Sequence, residues 1–482
     1  MSISSLGVGS NLDAESIVTQ LVALQRQPID QLKTEKTTLD TKLSSFGKVQ
    51  SYMSALRDAA RRLTDLSTWK AVSATSVDPS AVSVSAGDGA TTGSYNIAVD
   101  HLAAAQSVGS AAFASSSATV GTGVMTISIG SWNADQSAFT PKTGSSAVAI
   151  TIEDGDTLAQ VRDKINGADA GVVASIVNDA SGARLSIRSK DTGIENAFQI
   201  VVNDGGDGVD NDASGLSRLA YDPAASAGVM SRYQEAKNAV ATINGLSVES
   251  ASNTLSNVLD GLTLTLNKPV AAASPVQVNV ASDKDAMSKA ITDFATAYND
   301  AMKYLRDQTK YNPDDKTGGP LQGDRTAIDM MSQLRALAGG STSASSVFTR
   351  LTDIGLEPQK DGTLKVSSSK ISSALANLPE LKKAFSTINA AGTAGATNGL
   401  AQQFRMYGDG LLADDGSLDT RTDGLNTRIK QNGDRQQQLE DRVSSYEKRI
   451  RAQYQALDTQ MASLNSLSSY VAQQMAMLSK SK

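Results

Sequence analysis

Leu439-Glu-Asp-Arg-Val443-Ser-Ser-Tyr446-Glu-Lys-Arg-Ile450-Arg-Ala-Gln-Tyr-Gln-Ala-Leu457 is the stretch from which the rest of the chain can be read. Val443, Ile450, Leu457, Leu464, Val471 and Leu478 recur at a seven-residue step, and a second column passes through Leu439, Tyr446, Gln453, Gln460, Leu467 and Gln474. An apolar repeat of seven drifts around a straight helix unless the helix supercoils against a partner, so the pattern predicts a left-handed coiled coil. From Leu425 to Leu478 such a helix would reach roughly 80 Å, more than a compact domain encloses. Half of the second column is glutamine. Amides in a seam bury poorly against one fixed neighbour, which points to a specific register, or to contacts that are remade, at some loss of stability.

Charge divides the same helix. Arg428 to Asp458 is rich in both signs, with Glu447 and Arg451 spaced to pair one turn apart, whereas Thr459 to Ser479 carries no charge. That end is built to be covered. A membrane is an unsuitable cover, because Gln460, Asn465, Gln473, Gln474 and several serines interrupt the run, and a spanning helix needs about 20 mostly apolar residues.

Composition sets the limits. A chain of 482 residues holds several domains, and with 4% aromatics its cores are built from small aliphatic side chains. The net charge of -6 and the lack of any Lys/Arg block argue against nucleic acid as a partner. There is no cysteine, so disulfides and thiolate metal sites are excluded. The opening Met1-Ser-Ile-Ser-Ser-Leu-Gly-Val-Gly-Ser10 lacks a basic region and an apolar core, so any export is expected to proceed without a cleaved secretory signal.

Asn11 or Asp13 is the expected N-cap of a helix from Ala14 to Gln27, which Pro28 is expected to interrupt. Ile17, Leu21 and Leu24 make its apolar face. A second helical pattern runs through Leu32, Leu39, Leu43, Phe46, Met53, Leu56 and Leu63. Both chain ends thus carry stripes that need burial, and pairing them with each other and with neighbouring copies satisfies both. From Trp69 the period changes to two. Val72 to Val77, Val82 to Ser85, Tyr95 to Val99, Val124 to Ile129, Ala147 to Ile152, Val172 to Val177, Arg184 to Arg188 and Phe198 to Val202 read as strands, with one helix from Thr157 to Ile165 introduced by Asp156. Ala239 to Ile243, a turn at Asn244-Gly245, Leu246 to Glu249, Leu262 to Leu266 and Val276 to Val280 complete the β region. Helices return at Ala286 to Gln308, Arg325 to Leu337 and Ser368 to Ser386, with a hairpin near Gly355 to Val366. The expected architecture is a β-rich head on a helical stem whose two strands are the chain's own ends.

Catalytic chemistry is hard to place. His101 is the only histidine and there is no Gly-x-Ser-x-Gly, so a Ser-His-Asp triad has no footing. Gly7 and Gly9 follow no strand and precede no Gly-Lys-Ser/Thr, which rules out a phosphate loop. Asp204-Gly-Gly-Asp-Gly-Val-Asp-Asn-Asp212 matches the start of a calcium-binding nonapeptide repeat, but it occurs once, and those repeats work only when stacked. A solvated loop is expected there, and a polar turn at Asp414, Asp415 and Asp419. No catalytic residue, metal or cofactor is assigned.

Ser5-Leu-Gly7-Val-Gly9-Ser-Asn11-Leu12-Asp13, followed by Ile17-Val18 and Leu21-Val22, resembles the amino-terminal signature of the flagellar filament capping family, also called hook-associated protein 2. Gly93-Ser-Tyr-Asn-Ile-Ala-Val99 with His101 to Gln106, and Ile243-Asn-Gly-Leu246 through Asn253 and Gly261 to Leu266, are similar to two further motifs of that family. Asp154-Gly-Asp-Thr-Leu158, Val161, Lys164-Ile-Asn166, Gly171-Val172 and Gly182 to Gly193 resemble a motif of the inserted domains of flagellins and hook proteins. The resemblance spans nearly the whole chain and is weakest over Ala103 to Gly144 and Asn203 to Ser231.

This resemblance implies a multidomain α+β fold: terminal coiled-coil helices over 1–40 and 430–482, a helical leg domain over 41–68 and 283–429, a β-rich head domain over 69–104 and 235–282, and an inserted outer β-rich head domain over 105–234. It implies an extracellular structural protein, not an enzyme, exported by the flagellar type III apparatus with a cytoplasmic chaperone on its carboxy-terminal segment. A homo-oligomeric ring of it would promote insertion of flagellin at the filament tip, next to the hook-associated junction proteins of the same axial structure. The seam residues named above would then be assembly residues. Glutamine-bearing helical ends could settle against flagellin helices and be displaced again; replacing Gln453, Gln460 and Gln474 with leucine is expected to slow filament growth. The alternatives are a hook–filament junction protein or flagellin-like subunit, a tip adhesin binding host mucin or glycan through exposed loops, and an exported carbohydrate-active enzyme.

Overall fold

The computed structural model describes residues 13–210, 212–225, 227–228, 230–314, 316–389, 392 and 394–479. The fold is multidomain α+β and forms two compact units, Met1–Trp69 with Lys284–Lys482, and Lys70–Asp283. Its helices are α1 (Ala14–Thr64), α2 (Leu66–Lys70), α3 (Leu158–Gly167), α4 (Lys284–Thr309), α5 (Arg325–Gly339), α6 (Leu351–Ile354), α7 (Ser368–Ala374), α8 (Leu378–Ser386), α9 (Leu400–Leu411) and α10 (Ser417–Ser479).

In the helical unit, the Asp13 carboxylate accepts the Ser16 N–H at 3.1 Å and so caps α1. The expected break at Pro28 is absent: the proline lies inside one continuous 51-residue helix. Proline removes a single backbone hydrogen bond, and burial of Val22 on one side of it and Ile29 on the other holds the two segments in line. Leu39, Phe46, Val49, Met53, Leu56, Ala60 and Leu63 then enter the core shared with α4, α5, α8, α9 and the start of α10. On α4, Met287, Ile291, Phe294, Tyr298, Met302 and Leu305 are spaced three or four apart and face the same core. Phe404 of α9 meets Phe294 and Tyr298 edge-on, with ring centroids 5.1 and 5.9 Å away. Such pairs contribute about 0.5–1.5 kcal/mol each beyond their burial. The Tyr298 hydroxyl donates to the Gly362 carbonyl at 2.9 Å, and burial pushes its pKa up to about 12.

The single helix expected from Ser368 to Ser386 is two, α7 and α8, because Asn377 caps a fresh start and Pro379 sits in the first turn of α8. Helix α9 was not expected, although Leu400, Phe404, Tyr407 and Leu411 recur at helical spacing. Its N-cap is Gly399, without a side-chain bond, and it contains Gly408 and Gly410. Gly408 is required by packing, since a Cβ there would lie 2.8 Å from Arg57 Cβ on α1.

The β unit contains two cores. Strands β1 (Val72–Ser76), β2 (Val82–Ala86) and β3 (Gly93–His101) lead into it. An outer part follows: β4 (Ser107–Gly109), β5 (Gly123–Trp132), β6 (Phe139–Pro141), β7 (Val148–Ile152), β8 (Val172–Asp179), β9 (Gly182–Ser189), β10 (Ala197–Asp204), β11 (Tyr221–Asp222), β12 (Ala227–Gly228) and β13 (Ser231–Gln234). The chain returns through β14 (Ala239–Ile243), β15 (Leu246–Ser250), β16 (Thr254–Leu259), β17 (Leu262–Leu266) and β18 (Val276–Ser282). The inner sheets run β1-β18-β3-β14-β15 and β16-β17-β2, and they share a core of Val82, Ile97, Val99, Ala241, Leu264, Leu266 and Val278. The outer sheets run β12-β11-β10-β5-β6, with β7 also on β5, and β13-β4-β9-β8, and α3 completes their core. Helix α3 is capped by Thr157 with Gln160, not by Asp156; the Asp156 carboxylate instead accepts the Glu153 N–H and Lys164 Nζ.

Each insertion enters and leaves on neighbouring strands. β1 pairs with β18, Val72 opposite Ser282, and β3 pairs with β14, Ile97 opposite Ile243. Side-chain amides tie down the chain within each part, on either side of the crossing from inner to outer. Gln106 bonds both backbone groups of Phe198, at 3.0 and 3.2 Å, and Asn253 bonds both of Ala103, at 3.0 and 2.7 Å.

Candidate assembly interface

Helices α1 and α10 form an antiparallel hairpin. Glu15 meets Arg451, Glu35 meets Asn432 and Phe46 meets Arg421, so residue numbers fall on α10 as they rise on α1. At its far end Val18, Val22 and Ile29 pack on Val443, flanked by half-buried Leu439, Tyr446, Ile450 and Tyr454. The Arg451 guanidinium closes this end. Its two terminal nitrogens donate to the two Glu15 carboxylate oxygens at 2.7 Å, and its Nε donates to Glu447 at 3.0 Å. The hydrogen bond from Arg451 holds the Glu15 carboxyl below its usual range. At the near end the Asp324 carboxylate caps α5 through Thr326 and accepts Arg421, which also lies over the Phe46 ring.

The predicted seam residues fall into three groups. Leu39, Phe46 and Val443 are buried, and Leu43, Leu439, Tyr446 and Ile450 are partly buried where the heptads place them. Ile17 and Leu21 are only partly buried and Leu24 is 59% exposed. The seam of α1 lies one residue away, at 18, 22 and 29, because the four-three alternation of Leu32, Leu39, Leu43 and Phe46 runs back unbroken across Pro28. That continuity was the signal for Val18, Val22 and Ile29. Leu457, Leu464, Leu467 and Val471 form the third group and are 42%, 56%, 58% and 51% exposed. Helix α1 starts at Ala14, opposite Arg451, and among the described residues α10 extends about 40 Å past that point as an overhang. Gly7, Gly9, Asn11 and Leu12, and the side chain of Leu478, lie outside the described residues; Asp13 is the α1 cap.

Other sequence candidates lie on the β unit. His101 Nδ1 lies 2.8 Å from the Asp100 carboxylate on the β unit. Asp204 is 3% exposed and accepts from Gly206 N, Ser217 N and Ser217 Oγ, which organises the acidic loop. Among the described residues no cluster of His, Asp or Glu is placed to hold a metal, and no helix is long and apolar enough to cross a membrane.

A helical unit that pairs the first described helix with the last, a β-rich unit inserted in sequence between them, and an exposed, uncharged end of the last helix define an assembly subunit. Comparison with known proteins makes this specific. The family model for the flagellar hook-associated protein 2 N-terminus matches residues 10–106, that for its C-terminus residues 236–466, and the flagellin hook IN motif residues 138–191. The chain is 31% identical to flagellar hook-associated protein 2 of Escherichia coli strain K12, and 30% identical to that of Salmonella typhimurium, over 100% of both chains in each case. It is 30% identical to the B-type protein of Pseudomonas aeruginosa over 88% of this chain and 87% of that one. The crystal structure of the flagellar cap protein FliD D1-D2-D3 domains from Escherichia coli superposes with a TM-score of 0.59 at 28% identity, covering 79% of this chain and 99% of that one. The chain belongs to the flagellar hook-associated protein 2 family.

Proposed function

We propose that this chain is a structural capping subunit at the distal, extracellular end of the bacterial flagellar filament, where a ring of its copies promotes insertion and polymerisation of exported flagellin. The observation that carries the reading is the α10 overhang. Its Thr459–Ser479 segment is uncharged, and Leu464, Leu467 and Val471 on it are exposed. An apolar strip of this length on an isolated subunit is matched to contacts made in an assembly. The seam residues Leu439, Val443, Tyr446 and Ile450 hold the stem that presents it, and Ile17, Leu21 and Leu24 offer a second stripe on the same stem. The same overhang is the surface we assign to a cytoplasmic export chaperone before passage through the type III apparatus. The ring would sit above flagellin on an axis that begins at the hook-associated junction proteins, and host mucin or glycan would meet the exposed loops of the β unit.

Four parts divide this work: a terminal coil (1–40, 430–482), a leg (41–68, 283–429), an inner head (69–104, 235–282) and an outer head (105–234). The test is a filament-elongation assay with the full chain and with a chain ending at Asp458. Closed rings by negative-stain imaging and flagellin growth with the full chain, both lost on truncation while the subunit stays folded, are the expected result. Open filaments of the full chain alone, or growth unaffected by truncation, would overturn the reading.

A further inference from the structure

The hairpin seam is not uniformly apolar. On α10 it steps through Leu425, Ile429, Asn432, Gln436, Leu439, Val443, Tyr446 and Ile450 at alternating intervals of four and three, so Asn432 and Gln436 occupy positions that a coiled coil fills with leucine. Asn432 is 6% exposed. Its Nδ2 donates to Glu35 at 3.2 Å, and Gln436 Nε2 donates to its Oδ1 at 2.5 Å. The layer is polar but satisfied, which sets the register at a cost in adhesion.

Three further features meet at this level. The apolar contacts on either side are separate clusters: Leu39, Phe46, Leu425 and their neighbours belong to the main helical core, whereas Val18, Val22, Ile29 and Val443 form a small cluster of their own. Each helix carries a residue that weakens it here, Pro28 on α1 and Gly433 on α10. A groove of about 620 Å³ opens between the helices, lined by Pro28, Gln31, Glu35, Arg428, Asn432 and Arg435. An apolar layer resists shear because any displacement exposes it to water. Amide and carboxylate groups beside a wet groove exchange partners with solvent at little loss.

We propose that the stem hinges at the Asn432 layer. The distal hairpin, 18–29 with 439–454, stays zipped by its own apolar cluster and by the Glu15–Arg451 pair, and it moves as one body against the helical core. The overhanging end of α10 moves with it, so its aim changes without the hairpin opening.

The chain has no cysteine, so labelling sites can be introduced in pairs into the full chain. Gln20→Cys with Lys448→Cys reports within the distal hairpin, and Gln20→Cys with Ser369→Cys reports across the layer. Spin-label distance measurements are expected to give an across-layer distribution about twofold broader than the within-hairpin one, as collective hinge motion produces. Asn432→Leu combined with Gln436→Leu should narrow the across-layer distribution toward the other, and Pro28→Ala should narrow it in part. Equal widths in the otherwise unaltered chain would overturn the hinge, as would a within-hairpin pair that is equally broad, which is fraying. Since these two measurements leave the layer intact, they decide the matter even if a layer variant fails to fold. A folded layer variant that leaves the across-layer width unchanged would overturn the assignment to Asn432.

Discussion

Glu380, in the first turn of α8, gathers the Lys383 ammonium at 2.8 Å, the Ser345 hydroxyl at 2.7 Å and the Ser346 N–H at 3.1 Å. Lys383 contributes most and the Ser345 hydroxyl next, and together these partners hold the Glu380 carboxyl at about 2, against 4.5 when free. A carboxyl depressed on folding stabilises the fold fully above its unfolded value, and that contribution disappears as pH falls through the folded one. Stability of the helical unit should therefore decline between about pH 4.5 and 2 partly on account of this residue. Glu380→Gln is expected to flatten that limb in denaturant titrations taken across the pH range, and an unchanged limb would remove Glu380 from the acid response. Glu15 obeys the same sign on α1: its pairing with Arg451 is present at neutral pH and is lost in acid, so Arg451→Ala should loosen the tip of the hairpin at pH 7 and have little effect at low pH. Amide hydrogen exchange at 14–22 reads this directly.

Among the elements, the distal hairpin is held by few buried side chains, and each has a large effect. Ile29→Ala should cost that segment about 2–4 kcal/mol and raise its hydrogen exchange while leaving α4 and α9 unaffected. Phe404→Ala, in the aromatic cluster with Phe294 and Tyr298, should cost about 3–5 kcal/mol and lower the melting temperature of the whole helical unit. These elements were unequally legible from sequence. The heptads of α10 and the period-two strands were visible because apolar residues are confined to one face of each. Pro28 misled because proline reports on one hydrogen bond, while continuity of α1 depends on tertiary burial along its whole length. The seam at Val18, Val22 and Ile29 was obscured by a second apolar stripe one residue away, and a helix with two stripes does not reveal which is covered first. Helix α9 had a legible stripe at Leu400, Phe404, Tyr407 and Leu411, but Gly408 and Gly410 speak against a helix, and the reason for Gly408, its close approach to Arg57, is a contact separated by hundreds of residues. The polar layer at Asn432 is legible only once the opposing Glu35 is known.

At the scale of the molecule, the paired strands β1 and β18 bring the two boundaries of the β unit together. Val72 opposite Ser282 places the ends within about 5 Å. Replacing Lys70–Asp283 with a short Gly/Ser linker should leave the helical unit folded, with its cooperative melt intact by circular dichroism. The excised segment should give the dispersed amide spectrum of a folded β protein. Failure of either half to fold alone would show that the units depend on each other.

The same nesting fixes an order of events for folding of the chain. The outer β part, between β4 and β13, is contiguous in sequence, so its contacts close the shortest loops and can form first. The inner sheets require β3 to find β14 and β1 to find β18, across everything between them. The stem comes last, because α1 waits for α10, the final helix to emerge. Knitting thus proceeds from the centre of the polypeptide outward, and the α1–α10 hairpin matures only after the β unit has set.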